Sequence, residues 1–566
     1  MREACSTSGA LAITCLAFCY GCGNSDDATA SGSADGVAWF SEESIQRGVE
    51  FVHVSGHRDK HLLPEITGSG VALFDMNGDG WLDIYLVQSG SLTQLESDDI
   101  YLNELYLNQG DATFAKQQFA TSAADAGYGM GVAVGDYDND GDSDLYVTNV
   151  GENRLYSNDG TGIFTDVGSS ALSDANWGTS AAFLDLDRDG DLDLYHANYL
   201  YWSVEVELDC YSSGVLTYCP PINYRAPAID RLYRNNGDGT FEDITSNAGI
   251  DVAFGNGFGV IGSDYDNNGY VDVFVANDLT VNQLWMNQGN LVFQDEAMTR
   301  GSGVDGFGIA KAGMGVVSAD PDRDGDFDIL VVNLTGESDS YFRNDGTHFT
   351  DSTSEVGLSA PSRKYTRFGV VLADFDNDGW LDLYHANGGV SPVNLSAEDV
   401  YAEPNVLFRG TQDGRFAEVR PLGGTNTSLV HTSRGLAVGD IDNDGGLDLV
   451  VVNRDAQAYV LMNRYPNRGN WMSFSIKTSH GGYANGALVT FASNGRQIYG
   501  TVRPEGSYLS SNDPRVHFGL GKALSVEDVR VMWTTGEVEE YGDFRAGQFI
   551  ELREGRGNPS EWPHSP

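Results

Sequence analysis

"DMNGDGWLD" (residues 75–83) places three aspartates, one asparagine and two glycines in nine residues. Asp, Asn and Gly all favour turns, so one copy reads as a solvated turn, a calcium loop or a cluster of catalytic aspartates. Calcium takes about six to eight oxygen ligands at roughly 2.3–2.6 Å. In a tightly curled loop Asp75, Asn77 and Asp79 can all turn inward and Gly80 permits the bend. The carbonyl of Trp81 and the carboxylate of Asp83 then complete the shell.

Six further copies decide between these readings. They are "DYDNDGDSD" (136–144), "DLDRDGDLD" (185–193), "DYDNNGYVD" (264–272), "DPDRDGDFD" (320–328), "DFDNDGWLD" (374–382) and "DIDNDGGLD" (440–448). Positions one, three, five and nine supply the candidate ligands. After the first loop these are Asp136, Asp138, Asp140 and Asp144, then Asp185, Asp187, Asp189 and Asp193. The fourth loop offers Asp264, Asp266, Asn268 and Asp272, and the fifth Asp320, Asp322, Asp324 and Asp328. The last two offer Asp374, Asp376, Asp378 and Asp382, then Asp440, Asp442, Asp444 and Asp448. Asn77 and Asn268 keep an oxygen, and position six is always Gly. A turn needs no acid at position nine but a metal does, so the expected cofactor is Ca2+, up to seven ions. Position twelve is never a carboxylate and the flanks read as strands, which excludes EF-hands. The copies start 61, 49, 79, 56, 54 and 66 residues apart, too far for a tandem calcium β-helix.

The repeat extends beyond the loop. A Gly-rich strand precedes each copy ("GMGVAVG", "GFGVIGS"), and a Tyr/Asn turn ending in Phe follows most of them ("LYSNDGTGIF", "LYRNNGDGTF"). Four short strands repeated seven times predict an all-β chain, a seven-bladed β-propeller over 37–466, with the Gly-rich strands innermost. The chain leaves the seventh unit without a Phe-led strand and enters with one, "WFSEESIQRGVEF" (39–51). That entry segment is expected to complete the last blade and close the ring.

These residues resemble the FG-GAP/VCBS repeat of integrin α-type propellers. "ITGSGVALFD", "DRLYRNNGDGTFEDIT" and "TSRGLAVGDIDNDGGLDLVV" are closer still to the cartilage acidic protein group. "GNWMSFSI", "ANGALVTF", "GSYLSSNDPRVHFGLG" and "VRVMWTTGEVEEY" resemble an ASPIC/UnbV domain over 470–553, implying a small β-sandwich-like domain and a tail at 554–566. Two departures are the Asn ligands and "MWTTG", where the family usually has Trp-Pro-x-Gly, which puts one turn in question.

Net charge is −49, from 82 acids and 33 bases, and seven divalent ions would leave −35. Nucleic acid is therefore excluded as a partner. "ALAITCLAFCYGC" (10–22) followed by polar "GNSDDATASGSADG" (23–36) reads as an export signal and flexible linker, with Cys22 as a lipoprotein-type lipidation site or, alternatively, plain secretion. The membrane is then reached only through that anchor. Cys210 and Cys219 lie in the longest gap between motifs and read as a disulfide closing a surface insertion.

His196 and His385 fall at matching positions in "LYHAN" and read as packing between blades or as ligand groups near the channel. Arg367 and Arg434, which precede inner strands, read as structural ion pairs or channel lining. "HVSGHRDKH" (53–61) reads as propeller entry rather than a zinc site. There is no nucleophile elbow, phosphate loop or zinc motif. The function expected is an extracytoplasmic calcium-binding module, secreted or lipid-anchored, for a protein or carbohydrate ligand, with no assigned catalytic residue. The alternative is a calcium-dependent enzyme with a pocket at the propeller axis or in the interdomain cleft. A deep axial pocket with His, Arg and Tyr would favour the enzyme, and a flat loop-built face the binder.

Overall fold

A computed structural model describes residues 36–563 except 59, 94–99, 119–122, 169–171, 173, 213 and 253. The export signal and Cys22 lie outside the described residues. The Gly-rich stretches form inner strands, and each calcium-type loop turns an inner strand into an antiparallel second strand. Gly257–Ser263 turns into Asp272–Asn277 in this way. A third strand, ending in Asn in all but the sixth sheet, and a short Phe-led fourth strand complete each sheet, as Gln283–Asn287 and Phe293–Asp295 do here.

Seven four-stranded sheets result. Their inner strands touch in succession, and that of the seventh (Ser433–Gly439) touches that of the first (Val71–Phe74), so the propeller is a closed ring. The seventh sheet takes its outer strand from the chain entry: Phe40–Glu42 pairs antiparallel with Leu461–Asn463. Neighbouring blades share buried apolar clusters, such as Phe74, Val134, Leu145 and Phe164 between the first two. Close approach explains the inner glycines: a Cβ on Gly315 would lie 2.1 Å from the carbonyl oxygen of Phe368 in the next blade.

After the ring the chain builds two facing sheets. Val516–Gly521, Asn470–Lys477 and Phe549–Arg553 form one; Arg496–Thr501, Leu488–Ser493, Ser525–Met532, Val538–Arg545 and Asn558–Pro559 form the other. Phe474, Phe491, Phe518 and Trp533 lie in the buried core of this sandwich. The second sheet takes in two residues of the 554–566 stretch. Asn558–Pro559 pair with Glu539–Glu540, because the Glu539 carboxylate accepts the N–H groups of Gly555 and Gly557 and folds the chain back. The "MWTTG" turn forms without its proline: the Trp533 N–H donates to Glu537 O at 2.9 Å, and Gly536 takes φ 88°.

Sandwich and ring are locked together through residues 503–513, which enter the bore of the propeller. Main-chain bonds join Ser511 to Val71 and Leu73 in blade one, and Leu509 to Val132 in blade two. The Leu509 N–H donates to Ser180 Oγ of blade three, and Glu505 accepts from Gly262 N–H of blade four. Ser507 pairs both ways with Val316 in blade five, and its hydroxyl accepts from Val370 N–H in blade six. Ser510 Oγ accepts from Leu436 N–H in blade seven. All seven blades thus hold the plug.

Candidate functional site

The seven loops share one wiring. The first-position carboxylate accepts the N–H of the glycine at position six in every loop, from Gly379 to Asp374 at 2.7 Å up to Gly190 to Asp185 at 3.2 Å. Those glycines take φ between 82° and 100°, which other residues rarely adopt. The ninth-position carboxylate is fixed from two sides. Asp144 accepts Tyr137 N–H at 3.2 Å and Asn158 N–H at 2.8 Å, and five other loops repeat the pattern. In the fifth loop position two is Pro321, which has no N–H, and the Tyr341 hydroxyl donates to Asp328 instead.

The third-strand asparagine went unread in the sequence. Asn158 Nδ2 donates to Met76 O in the preceding blade's loop at 2.8 Å. Asn108, Asn235, Asn287, Asn344 and Asn463 reach back in the same way. The signal was present: five of the Tyr/Asn turns place Asn at this position, and only the sixth repeat has Gly410.

A metal fits these loops by a direct test. In the second, third, fourth, fifth and seventh loops the third-position aspartate keeps a buried oxygen with no hydrogen-bond donor: Oδ1 of Asp138, Asp187, Asp266, Asp322 and Asp442. In the sixth, Asp376 Oδ2 lies 2.6 Å from the Arg409 guanidinium, which also reaches Asp378. Three carboxylates offer oxygens within 4.8 Å of one another in loops two to six, for example Asp136, Asp138 and Asp144. Burial, reinforced by neighbouring carboxylates, pushes Asp83 up to about 8 and Asp144 to about 9 against the bonds from the backbone. A cation is the group that removes this penalty. The chain also supplies guanidinium cations at the fourth, fifth and seventh loops, where Arg300 pairs with Asp266, Arg343 with Asp322, Arg464 with Asp442 and Arg468 with Asp444.

The sandwich docks on this loop end of the ring. Arg188 donates to the carbonyls of Thr534 and Thr535, Asn377 O accepts Gly521 N–H, and Arg515 donates to Asp440 O. The opposite end is different. Asn198, at the end of a second strand, pairs with Gly178 at the start of its inner strand, so the insertion at 199–230 leaves from the end remote from the loops. Cys210 and Cys219 are disulfide-bonded across its hairpin. Tyr201, Val206, Leu208, Tyr211, Val215 and Ile222 stay exposed, Tyr211 to 67%. Beneath the hairpin lies a chamber of about 740 Å³, lined by Ile66, Tyr199, Phe258, Met314 and Phe368. A smaller cleft of about 240 Å³ separates blades five and six from the sandwich.

The remaining candidates fall into place. His196 is buried between Tyr146 of the preceding blade and Asn198, and burial lowers its pKa. His385 is likewise interior, 3.5 Å from Asp339, which pairs with Arg367 at 2.7 Å. Arg434 departs from the expected ion pair: it is spent on the carbonyls of Ile66, Gly388, Ser433 and Gly389 and stacks on Phe368. In the entry loop His57 bonds Glu65 at 2.7 Å, and the Tyr218 hydroxyl reaches both. Asp339→Ala, which strands a buried guanidinium, is expected to cost about 3 kcal/mol, most of it recovered by also making Arg367→Met. Denaturant unfolding of the two variants checks this.

The FG-GAP-like repeat profile matches residues 75–147, 137–196, 264–331 and 320–385, and the ASPIC and UnbV profile matches 477–559. Cartilage acidic protein 1 of Mus musculus is 31% identical over 305 residues, 52% of this chain and 44% of that protein. The Xenopus tropicalis protein is 30% identical over 280 residues, 48% of this chain and 41% of its own length. The chain thus matches less than half the length of these relatives. Among solved structures, an Agrocybe aegerita lectin that recognises non-reducing terminal N-acetylglucosamine aligns over 69% of this chain and 86% of its own, at 16% identity and TM-score 0.36. YCF48 bound to a D1 peptide aligns over 70% and 91%, at 8% identity and TM-score 0.39.

Proposed function

We propose, for a chain that carries FG-GAP-like repeats and an ASPIC and UnbV domain, an exported calcium-loaded module that binds an extracellular protein or carbohydrate. The observation that carries this reading is the asymmetry of the ring. One end is covered by the sandwich, and the other presents an insertion with six exposed large apolar side chains. Apolar surface of this kind, rimmed by acidic groups, is an interaction surface. The acids at positions one, three, five and nine, with Asn77 and Asn268, would hold the calcium. The ion would supply charge neutralisation and cross-link the ends of the first two strands in each blade. The disulfide fits an oxidising compartment, and among the described residues no helix is long and apolar enough to cross a membrane.

The test is binding to glycan and extracellular-protein arrays in millimolar calcium, wild type against Val215→Asp/Ile222→Asp. The expected result is a specific signal that the double variant weakens about tenfold or more. A signal untouched by the variant would place recognition elsewhere. A second reading, an extracytoplasmic enzyme, draws on the Tyr218 hydroxyl at the chamber wall, which contacts Glu65, His57 and Arg454. Turnover of a sugar or ester that Tyr218→Phe abolishes would favour it.

A further inference from the structure

The plug leaves one part of the ring's axis unfilled. Above Tyr508, whose ring packs edge-on against Phe258 and Phe368, the bore widens into the chamber of about 740 Å³. Its floor and walls are mostly apolar, and the disulfide hairpin forms its roof, with Asp209 on the exposed rim. The buried charged groups around it are already committed. Arg434 is bound to four carbonyl oxygens, and Asp278 accepts the Tyr199 hydroxyl at 2.7 Å. No unpaired cation among the described residues faces the space to attract an anion.

We propose that this chamber is a binding site for a neutral, largely apolar small molecule. The volume suits a molecule of about drug size, and such sites are mostly apolar with a few placed polar groups. The molecule would lie against Phe258, Met314 and Phe368. Asp278 in the wall is taken up by the Tyr199 hydroxyl, and burial pushes its carboxyl up to about 7. Tyr211 borders both this site and the exposed patch, whereas Val215 and Ile222 belong to the patch alone. The site stands whether or not a macromolecule docks on the patch.

The probe is N-phenyl-1-naphthylamine, a neutral apolar dye with a single N–H donor, titrated into the full chain in calcium. Two variants fill the space, Met314→Trp from the wall and Val390→Trp from the rim, each checked for a native melting transition. The expected result is saturable one-to-one fluorescence enhancement that falls at least tenfold in affinity in each folded variant. Should one variant fail to fold, the other decides. Enhancement that never saturates, or that survives unchanged in a folded filled variant, overturns the proposal. Neither outcome bears on array binding lost in Val215→Asp/Ile222→Asp, which leaves the chamber lining untouched, so the two readings fail separately.

Discussion

In excess chelator the ring is expected to melt well below its temperature in millimolar calcium, and the two conditions should respond to pH in opposite directions. A site with a dissociation constant near 0.1 mM stabilises by about 1.8 kcal/mol at about 2 mM free calcium. Seven such sites give on the order of 12 kcal/mol, comparable to the whole stability of a domain. Loops four to seven should gain less than the first three, because Arg300, Arg343, Arg409, Arg464 and Arg468 already pair with their carboxylates. Magnesium should replace little of the effect, since it demands a smaller and more regular shell. The pH dependence follows from linkage. Without a cation, burial raises Asp83 to about 8, Asp136 to about 7, Asp144 to about 9 and Asp320 to about 7. The unfolded carboxyls titrate near 4, so the folded chain holds extra protons between roughly pH 4 and 9. The stability these groups contribute is therefore present below about pH 4 and lost as pH rises through the folded values. With calcium bound, the carboxylates are held ionised, the folded values fall below the unfolded ones, and stability is lost instead as pH drops towards 4. Melting temperatures at pH 5.5 and 8 should slope down with pH in chelator and stay nearly level in calcium, where the loss begins only below about pH 5. Equal slopes would remove the loops as calcium sites.

Much of this was legible in the sequence, because each blade repeats the same chemical problem. The acid at position nine and the glycine at position six recur since every loop must turn and gather carboxylates. Counting loops therefore counted blades, and the phase of the repeats showed that the entry strand must close the ring. The role of the third-strand asparagine was harder to read, although the residue recurs, because its partner is a main-chain carbonyl in another blade. Met76 and Asn158 are bonded through a backbone atom that has no sequence identity. The axial chamber was out of reach for another reason. Its wall combines Ile66, Phe258, Met314 and Phe368 from the starts of four different blades with an insertion in a fifth, and no local pattern joins them. "GSYLSSND" carried the resemblance to a C-terminal domain but gave no hint of where it lies.

Its position sets the second large effect. Replacing Ser507–Asn512 with a Gly-Ser linker of equal length is expected to destabilise the chain by on the order of 6 kcal/mol and to separate one melting transition into two. Tyr508 and Leu509 are both fully buried, and truncating a buried aromatic or Leu side chain costs about 2–5 kcal/mol each. The lost hydrogen bonds add to this, because N–H groups of the inner strands, such as Val132 and Leu73, would face an emptied bore. The fit is tight as well as extensive: a Cβ on Gly70 would sit 1.6 Å from the Leu509 carbonyl oxygen. Gly70→Ala should therefore push the plug out by itself and reproduce part of the same split. The sandwich has its own core of Phe474, Phe491, Phe518 and Trp533, so it should survive as the second transition. Calorimetry of both variants in calcium decides the matter. A single transition near the wild-type temperature would mean that the plug merely fills space and that the ring closes without it.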